Sequence, residues 1–443
     1  MRGTLIRAGR MVYTPWREQP WEFAMAIVVL LGCLAIPLAL NSGSADSFAL
    51  AKTGVVRVLL VVVLGIIGVR LALGDPIPIP STEAVDWAMI GFVVANAAAF
   101  AFSIDWRQSL YGESLQHQGV LALSLYVAFH YLARAVFNNP NRTRHLCVAL
   151  VLGALLVSVY AILQRLDLDP LWDLPTSARV FSSIGQPNAL AAYLVLSIPV
   201  AFALSFWGSA RLRRFSIVAM VISMAALGLT LSRGGYLGLT VSGVILAFGL
   251  VGRDDRSRKR LRRAGLLGIT LLAVVTFTLG NTVWSALGDT DLGRRSDHLS
   301  LWKVGLAITV DHPFVGTGQE TYPLVFPEYR DDVLDPPTAR YLSTFRPESP
   351  HNLYIATAAG AGIPTLVAFL TVVALAMRRM LSAAMRSTLS TKALLFGIAA
   401  AMSGHLVTDL FMTQEVTGSW VFWVLMGAGV GTAQGPLKTT ELE

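Results

Sequence analysis

A few ionisable residues stand where an apolar chain has no structural need for charge. In "SPHN" (349–352), His351 sits between a proline and the small-residue run "LYIATAAGAGIPT" (353–365). Its near-neutral pKa suits a general base that takes the proton of a hydroxyl. A histidine at a helix start can equally cap backbone N–H groups, and Ser349 and Asn352 offer the same service. Arg233, in "LTLSRGGYLG" (229–238), interrupts two apolar stretches. It either snorkels to headgroup phosphate or grips an anionic substrate, for which guanidinium is the favoured bidentate partner. Arg179 in "ARVFSSIGQPNALAAYL" (178–194) and the doublet Arg294–Arg295 stand at similar boundaries. Two or three such arginines converging would suit a diphosphate. His405 and Asp409, in "SGHLVTDLF" (403–411), are spaced i, i+4 on one helix face. They make a structural pair first and outer support for a site second.

The remaining chemistry-bearing residues exclude more than they suggest. His117 and His130 fall thirteen apart on one expected span, His145 adjoins a basic loop, and His298 and His312 belong to an amphipathic segment. No HExxH or comparable ligand spacing occurs, which predicts a protein that uses no metal. Cys33 and Cys147 both lie inside apolar runs, outside any CxxC pair. No Ser–His–Asp or Cys–His arrangement can be argued. Neither a P-loop nor a GxGxxG after a strand is present, so no ATP and no cofactor is expected.

The elements that must position these residues are membrane helices. Of 443 residues, 54% are hydrophobic and 14% charged, with a mean hydropathy of +0.60; soluble domains carry about 25% charged residues. Stretches of about 20 apolar residues, enough to cross a bilayer core of ~30 Å, recur near 21–40, 54–74, 84–104, 115–136, 145–163, 188–207, 215–231, 234–252, 265–285, 353–377, 392–412 and 418–434. The expected fold is therefore an all-α polytopic membrane protein of about twelve spans with both termini on one side. A cytoplasmic N-terminus places 22 of the 35 basic residues inside and 11 outside, with Arg57 and Arg70 in the second span. The basic start "MRGTLIRAGRMVYTPWREQPWEF" then reads as a tail rather than a removable signal peptide. The run "RDDRSRKRLRR" (253–263) becomes a stop signal at the inner surface, and the net charge of +8 needs no nucleic acid.

The expected divisions are a cytoplasmic tail 1–20, spans one to nine over 21–285, an outer loop 286–350, spans ten to twelve over 351–434, and a tail 435–443. In the outer loop, "RRSDHLSLWKVGLAITVDHPF" (294–314) has Leu299, Trp302, Leu306 and Ile308 at roughly helical spacing, which predicts an amphipathic helix at the membrane surface. "DHPFVGTGQ" ends it, and the proline-rich "LDPPTARYLSTFRPESP" is expected to be extended. "GQPN" (185–188) is a helix break and N-cap by composition.

The chain resembles the O-antigen ligase family of Gram-negative inner membranes, within a superfamily that includes O-antigen polymerases and protein O-oligosaccharyltransferases. The pieces are "RVFSSIGQPNALAAYL", "LTLSRGGYLGL", "RRSDHLSLWKVGLAITVDHPFVGTGQETY" and "HNLYIATAAGAGIPT". The last fits the ligase pattern at His351, Asn352, Gly362 and Thr365. The resemblance implies a membrane-embedded, GT-C-like glycosyltransferase acting on the periplasmic face. Its donor is a glycan on undecaprenyl diphosphate and its acceptor the lipid A–core oligosaccharide. It implies His351 as the base, Arg233 and Arg295 as diphosphate ligands, Arg179 as a third contact, and inversion at the anomeric carbon. Arg294 shares the register with Arg295. Polymerase and protein-glycosylating activities remain alternatives; the short "GPLKTTELE" after the final span favours the ligase over the latter. A lipid-linked glycan flippase is the reading from another class, although paired interrupted helices in repeated halves are not evident.

Overall fold

The computed structural model describes residues 19–44, 46–75, 81–114, 116–169, 171, 179–250, 290–344 and 346–435. Every regular element among them is helical. In chain order these are α1 (Pro20–Leu38), α2 (Ala49–Ala72), α3 (Ala84–Ala101), α4 (Trp106–Tyr111), α5 (Val120–Val136), α6 (Pro140–Arg165), α7 (Pro187–Leu204), α8 (Ala210–Leu229) and α9 (Arg233–Leu250). Then follow α10 (Thr290–Asp311), α11 (Tyr322–Val333), α12 (Pro336–Leu342), α13 (Leu353–Ala384), α14 (Leu389–Thr408) and α15 (Val416–Gln434). Among the described residues, nine helices are long and apolar enough to cross a membrane: α1, α2, α3, α6, α7, α8, α13, α14 and α15. Helix α5 is apolar but shorter. The chain is thus an all-helical integral membrane protein. The expected span 265–285, the basic run 253–263 and most of both tails lie outside the described residues.

Helix α15 forms the centre of the bundle, with 94% of its apolar window buried, whereas α2 buries only 17% and leaves Val58, Val61 and Leu64 outward. Two tryptophans of α15, Trp420 and Trp423, are enclosed. Gly427 and Gly431 bring α15 against α5 so closely that an added Cβ would collide with the carbonyl oxygens of His130 and Arg134. Without a hydrophobic force between helices in lipid, such small-residue seams supply packing.

The two ends of the bundle differ in polarity. At the end holding residues 19 and 435, Arg70 pairs with Glu22 at 3.0 Å, Arg379 with Glu83 at 3.0 Å, and Arg134 is clamped by Asp86 and Ser81. The other end gathers the links 39–48, 102–119, 179–186, 230–232, 312–352 and 409–415. There, Lys52 near the start of α2 donates to the carbonyls of Ala39 (2.9 Å) and Ser183 (2.6 Å).

Helix α13 is broken. Gly362 has φ 82° and ψ 162°, a left-handed backbone that glycine adopts without a Cβ penalty. Pro364 has no N–H to continue the ladder. The groups released by the break are taken up by the segment after α10. Thr317 N–H donates to Ala359 O (3.0 Å), Gly318 N–H to Gly360 O (2.8 Å), and Ile363 N–H to Pro313 O (2.8 Å). The glycines of "GAGIPT" therefore admit a strap of backbone, residues 313–318, into direct contact with the helix.

Several boundaries and two local expectations need correction. The segment 335–342 is not extended. Pro336 sits at the first turn of α12, and Asp335 caps it by accepting from Thr338 N–H at 3.2 Å, because proline at N1 loses no hydrogen bond. Helix α10 buries Leu301, Val304 and Ile308 against Tyr322 and Phe326, while Leu299 and Leu306 are exposed; of the four residues named for its apolar face, Ile308 lies in that core. His117 does not lie on a span. It precedes α5 and meets Asp46 at 3.2 Å. The turn at 230–232 does separate two helices, with Leu231 at φ 49°.

Candidate active site

The start of α13 is fixed by Asn352, whose Oδ1 accepts from Tyr354 N–H (3.0 Å) and Ile355 N–H (3.1 Å). Asn352, not His351, is the cap. His351 stands one residue outside the helix at φ 50°, a left-handed conformation uncommon outside glycine, and its N–H donates to Ser349 Oγ at 3.3 Å. Its ring is thereby turned onto α10, edge-to-face with His298 and 5.4 Å from it between centroids. Burial, and secondarily the His298 imidazole, push the pKa of His351 down to about 4. That shift favours the uncharged imidazole, the form a general base requires.

The link after α14 joins this helix start to the arginine corner. Asp409 O accepts from Leu353 N–H at 2.8 Å, and Ser349 Oγ meets Thr413 Oγ1 at 3.3 Å. Farther along the same link, the Phe411 ring covers Gly234, where an added Cβ would lie 3.1 Å from it. Gly234 follows Arg233, the exposed first residue of α9. Arg179 is half-buried and binds the same corner. Its Nε donates to Thr230 O (2.9 Å) and its Nη2 to Asn188 Oδ1 (2.7 Å). Gln186 precedes α7, Pro187 opens it, and Gly185 is left-handed at φ 97°, so "GQPN" does break the chain. Its Asn188 holds an arginine rather than capping the helix. The structure thus gathers His351, Asn352, Arg179 and Arg233 at one end of the bundle. Arg294 and Arg295 lie on α10, four and three residues before His298; their side chains are outside the described residues.

His405 and Asp409 face one another at 3.8 Å, too far for a hydrogen bond. His405 Nδ1 lies 3.4 Å from Ala192 O, and burial holds the Asp409 carboxyl well above the usual carboxylate range. The pair is built into the α7–α14–α15 interior.

Two adjoining cavities open beside the His351 segment. The larger, with about 50 Å³ of water-accessible space, is lined by Gln118, Gln319, Glu320, Tyr322, Glu348 and Thr413, with Phe92 and Phe369 on its apolar side. The smaller, with about 20 Å³, reaches His405, Asp409 and Glu415. Leu353, Phe369, Thr413 and Gln414 belong to both. Among the described residues, no group of three or more His, Cys, Asp or Glu could hold a metal.

His298, Glu320 and Glu348 were not singled out from sequence. His298 lies three residues past Arg295 and was assigned only to the amphipathic segment. Glu320 lies in the "GTGQETY" piece of the resemblance, where glycines drew the attention.

Among the described residues, nine helices long and apolar enough to cross a membrane surround one another, with the broken α13 and the basic corner at one end. Residues 218–370 match the family model described as O-antigen ligase. That stretch runs from α8 into the second half of α13 and includes Arg233, Arg294, Arg295 and His351. The match supports a glycan-transferring role. No curated protein matches the chain. One solved chain, from a structure described as "Structural coordination of polymerization and crosslinking by a peptidoglycan synthase complex", is 18% identical over 80% of this chain and 98% of its own, with a TM-score of 0.41. That likeness is too loose to bear on fold or function.

Proposed function

We propose that the protein transfers a glycan from undecaprenyl diphosphate to a sugar hydroxyl of the lipid A–core oligosaccharide, on the periplasmic face of a Gram-negative inner membrane. The topology that goes with this reading has twelve spans and both termini in the cytoplasm. The arginine-rich end with residues 19 and 435 then faces inward, and the His351 end outward. His351 accepts the proton of the acceptor hydroxyl. The freed oxygen attacks the anomeric carbon of the donor, the bond from that carbon to the phosphate oxygen breaks, and the electron pair leaves on the lipid diphosphate. One displacement of this kind inverts the anomeric centre.

The observation that carries the reading is the position of His351. Asn352 caps α13 in its place, the His351 ring turns onto His298, and it lies at the same end of the bundle as Arg179 and Arg233. Arg233, with Arg179 behind it and Arg295 from α10, meets the charge that grows on the departing diphosphate. An arriving dianion also favours the protonated imidazole, which raises the basicity of His351 when the donor is bound. No metal, cofactor or ATP is required, because the leaving group is already activated.

Reconstitution of the protein with a lipid-linked glycan and rough lipopolysaccharide tests this. Capped lipopolysaccharide is expected from the wild type and none from His351→Ala. Elongation on the lipid carrier alone would make the protein a polymerase. Glycan movement across the bilayer without transfer would make it a flippase.

A further inference from the structure

The larger cavity is walled on one side by Ser349, Pro350 and Leu353, the chain neighbours of His351, yet its chemistry is opposite to that of the arginine corner. No Lys, Arg or His is among its lining residues. Its polar groups are amides, hydroxyls and two carboxylates, Glu320 and Glu348. Glu320 is held in place: its Oε2 accepts from Glu113 N–H at 2.9 Å, and its carbonyl accepts from Gln108 Nε2 at 2.6 Å. Gln319 is aimed by Asn96 of α3 at 2.8 Å, and Glu348 by Gln116 at 3.1 Å. Phe92 and Phe369, 5.9 Å apart between centroids, form the apolar wall.

An anionic group entering such a pocket would meet two carboxylates and, among the described residues, no compensating cation. A sugar ring has the complementary pattern. Its edge hydroxyls both donate and accept, as amides and carboxylates require, and its C–H face packs on aromatic carbon. We propose that this cavity is a subsite for an uncharged sugar ring, set apart by charge from the diphosphate-binding corner and separated from it by the 349–353 segment. The proposal rests on the glycan-transfer reading for its place in a reaction, but not for binding itself. Burial, seconded by Glu113 and Glu348, pushes Glu320 up to about 7, so near neutrality it both donates to and accepts from a hydroxyl.

The test uses the full chain in lipid nanodiscs and a phosphate-free core oligosaccharide as probe, read by saturation-transfer NMR without turnover. Wild type is expected to saturate the ring protons. Glu320→Ala should weaken that signal at least five-fold. Thr357→Phe keeps both carboxylates but fills the cavity from α13, and should weaken it equally. Undiminished signal in both variants overturns the proposal, as does equal competition by glucose 1-phosphate. With donor and lipopolysaccharide present, a ten-fold rise in KM confined to lipopolysaccharide assigns the ring to the acceptor. A rise confined to the lipid-linked glycan assigns it to the donor, and no rise in either overturns the subsite. Sugar binding without any transfer would defeat the ligase reading and leave the subsite standing.

Discussion

The ring of His298 on α10 stands edge-to-face against the ring of His351, 5.4 Å away, so α10 and the start of α13 share a half-buried contact at the proposed base. An edge-to-face aromatic pair is worth about 0.5–1.5 kcal/mol beyond its area, and it fixes the rotamer of His351. His298→Ala should therefore both loosen the ring and let water reach it.

The acid limb of the rate profile reports this arrangement. The folded pKa of His351 lies below the ordinary 6.5, at about 4, first through burial and then through His298. Its contribution to stability is present above pH 6.5 and is lost as pH falls through about 4. Base function in the empty protein follows the same window, so the acid limb of kcat/KM is expected near pH 4. In His298→Ala that limb should move up toward 6.5. A limb that stays in place would remove His298 from any role in tuning the base.

The limb of kcat should lie above that of kcat/KM. The first belongs to the donor-bound enzyme, where diphosphate raises the basicity of His351, and the second to the free enzyme. Steady-state rates from pH 4 to 8 at saturating and at low donor separate the two. Coincident limbs would place the diphosphate too far from His351 for a direct proton transfer.

Arg233→Ala and Arg179→Ala should differ. Arg233 is exposed at the start of α9, and its loss is expected to raise the donor KM ten-fold or more. Arg179 ties Thr230 to Asn188, and its loss should lower both donor use and thermal stability. An unchanged melting temperature in Arg179→Ala would contradict the tether.

Asn352→Ala removes two hydrogen bonds from the first turn of α13, a loss of about 0.5–2 kcal/mol for an N-cap. Asn352→Asp keeps the acceptor and should restore most of it. Thermal unfolding in detergent measures the difference, and activity should follow stability in the pair.

Gly362→Ala forces a side chain onto a left-handed residue, about 1–2 kcal/mol by backbone alone, and drives its Cβ into the Phe314 carbonyl. Limited proteolysis between residues 312 and 321 should speed up in this variant. Unchanged protection would mean that the strap is held elsewhere.

Hydropathy made the membrane helices legible, since crossing length and apolar content come from composition along the chain. Asn352, Arg179 and Arg233 were also legible, because caps and stray charges are local signals. The break at Gly362 could be suspected from "GAGIPT", but its partner could not: the strap at 313–318 docks through backbone atoms, which carry no residue code. Which apolar residues of α10 pack inward was not legible, because Leu299 and Leu306 satisfy helical spacing as well as Leu301, Val304 and Ile308 do. Only the position of Tyr322 and Phe326 decides between them. His298 and Glu320 became visible only in three dimensions, as both depend on segments that meet from afar.

The strap and the broken helix also set an order of events. Residues 313–318 leave the ribosome before 359–363, so the strap is made before the helix it serves. The helix then finds waiting the donors and the acceptor that its interrupted ladder needs. A graft that changes the backbone course of 313–318 would leave those groups unmatched. The smallest transplantable piece is the outer segment together with the first half of α13.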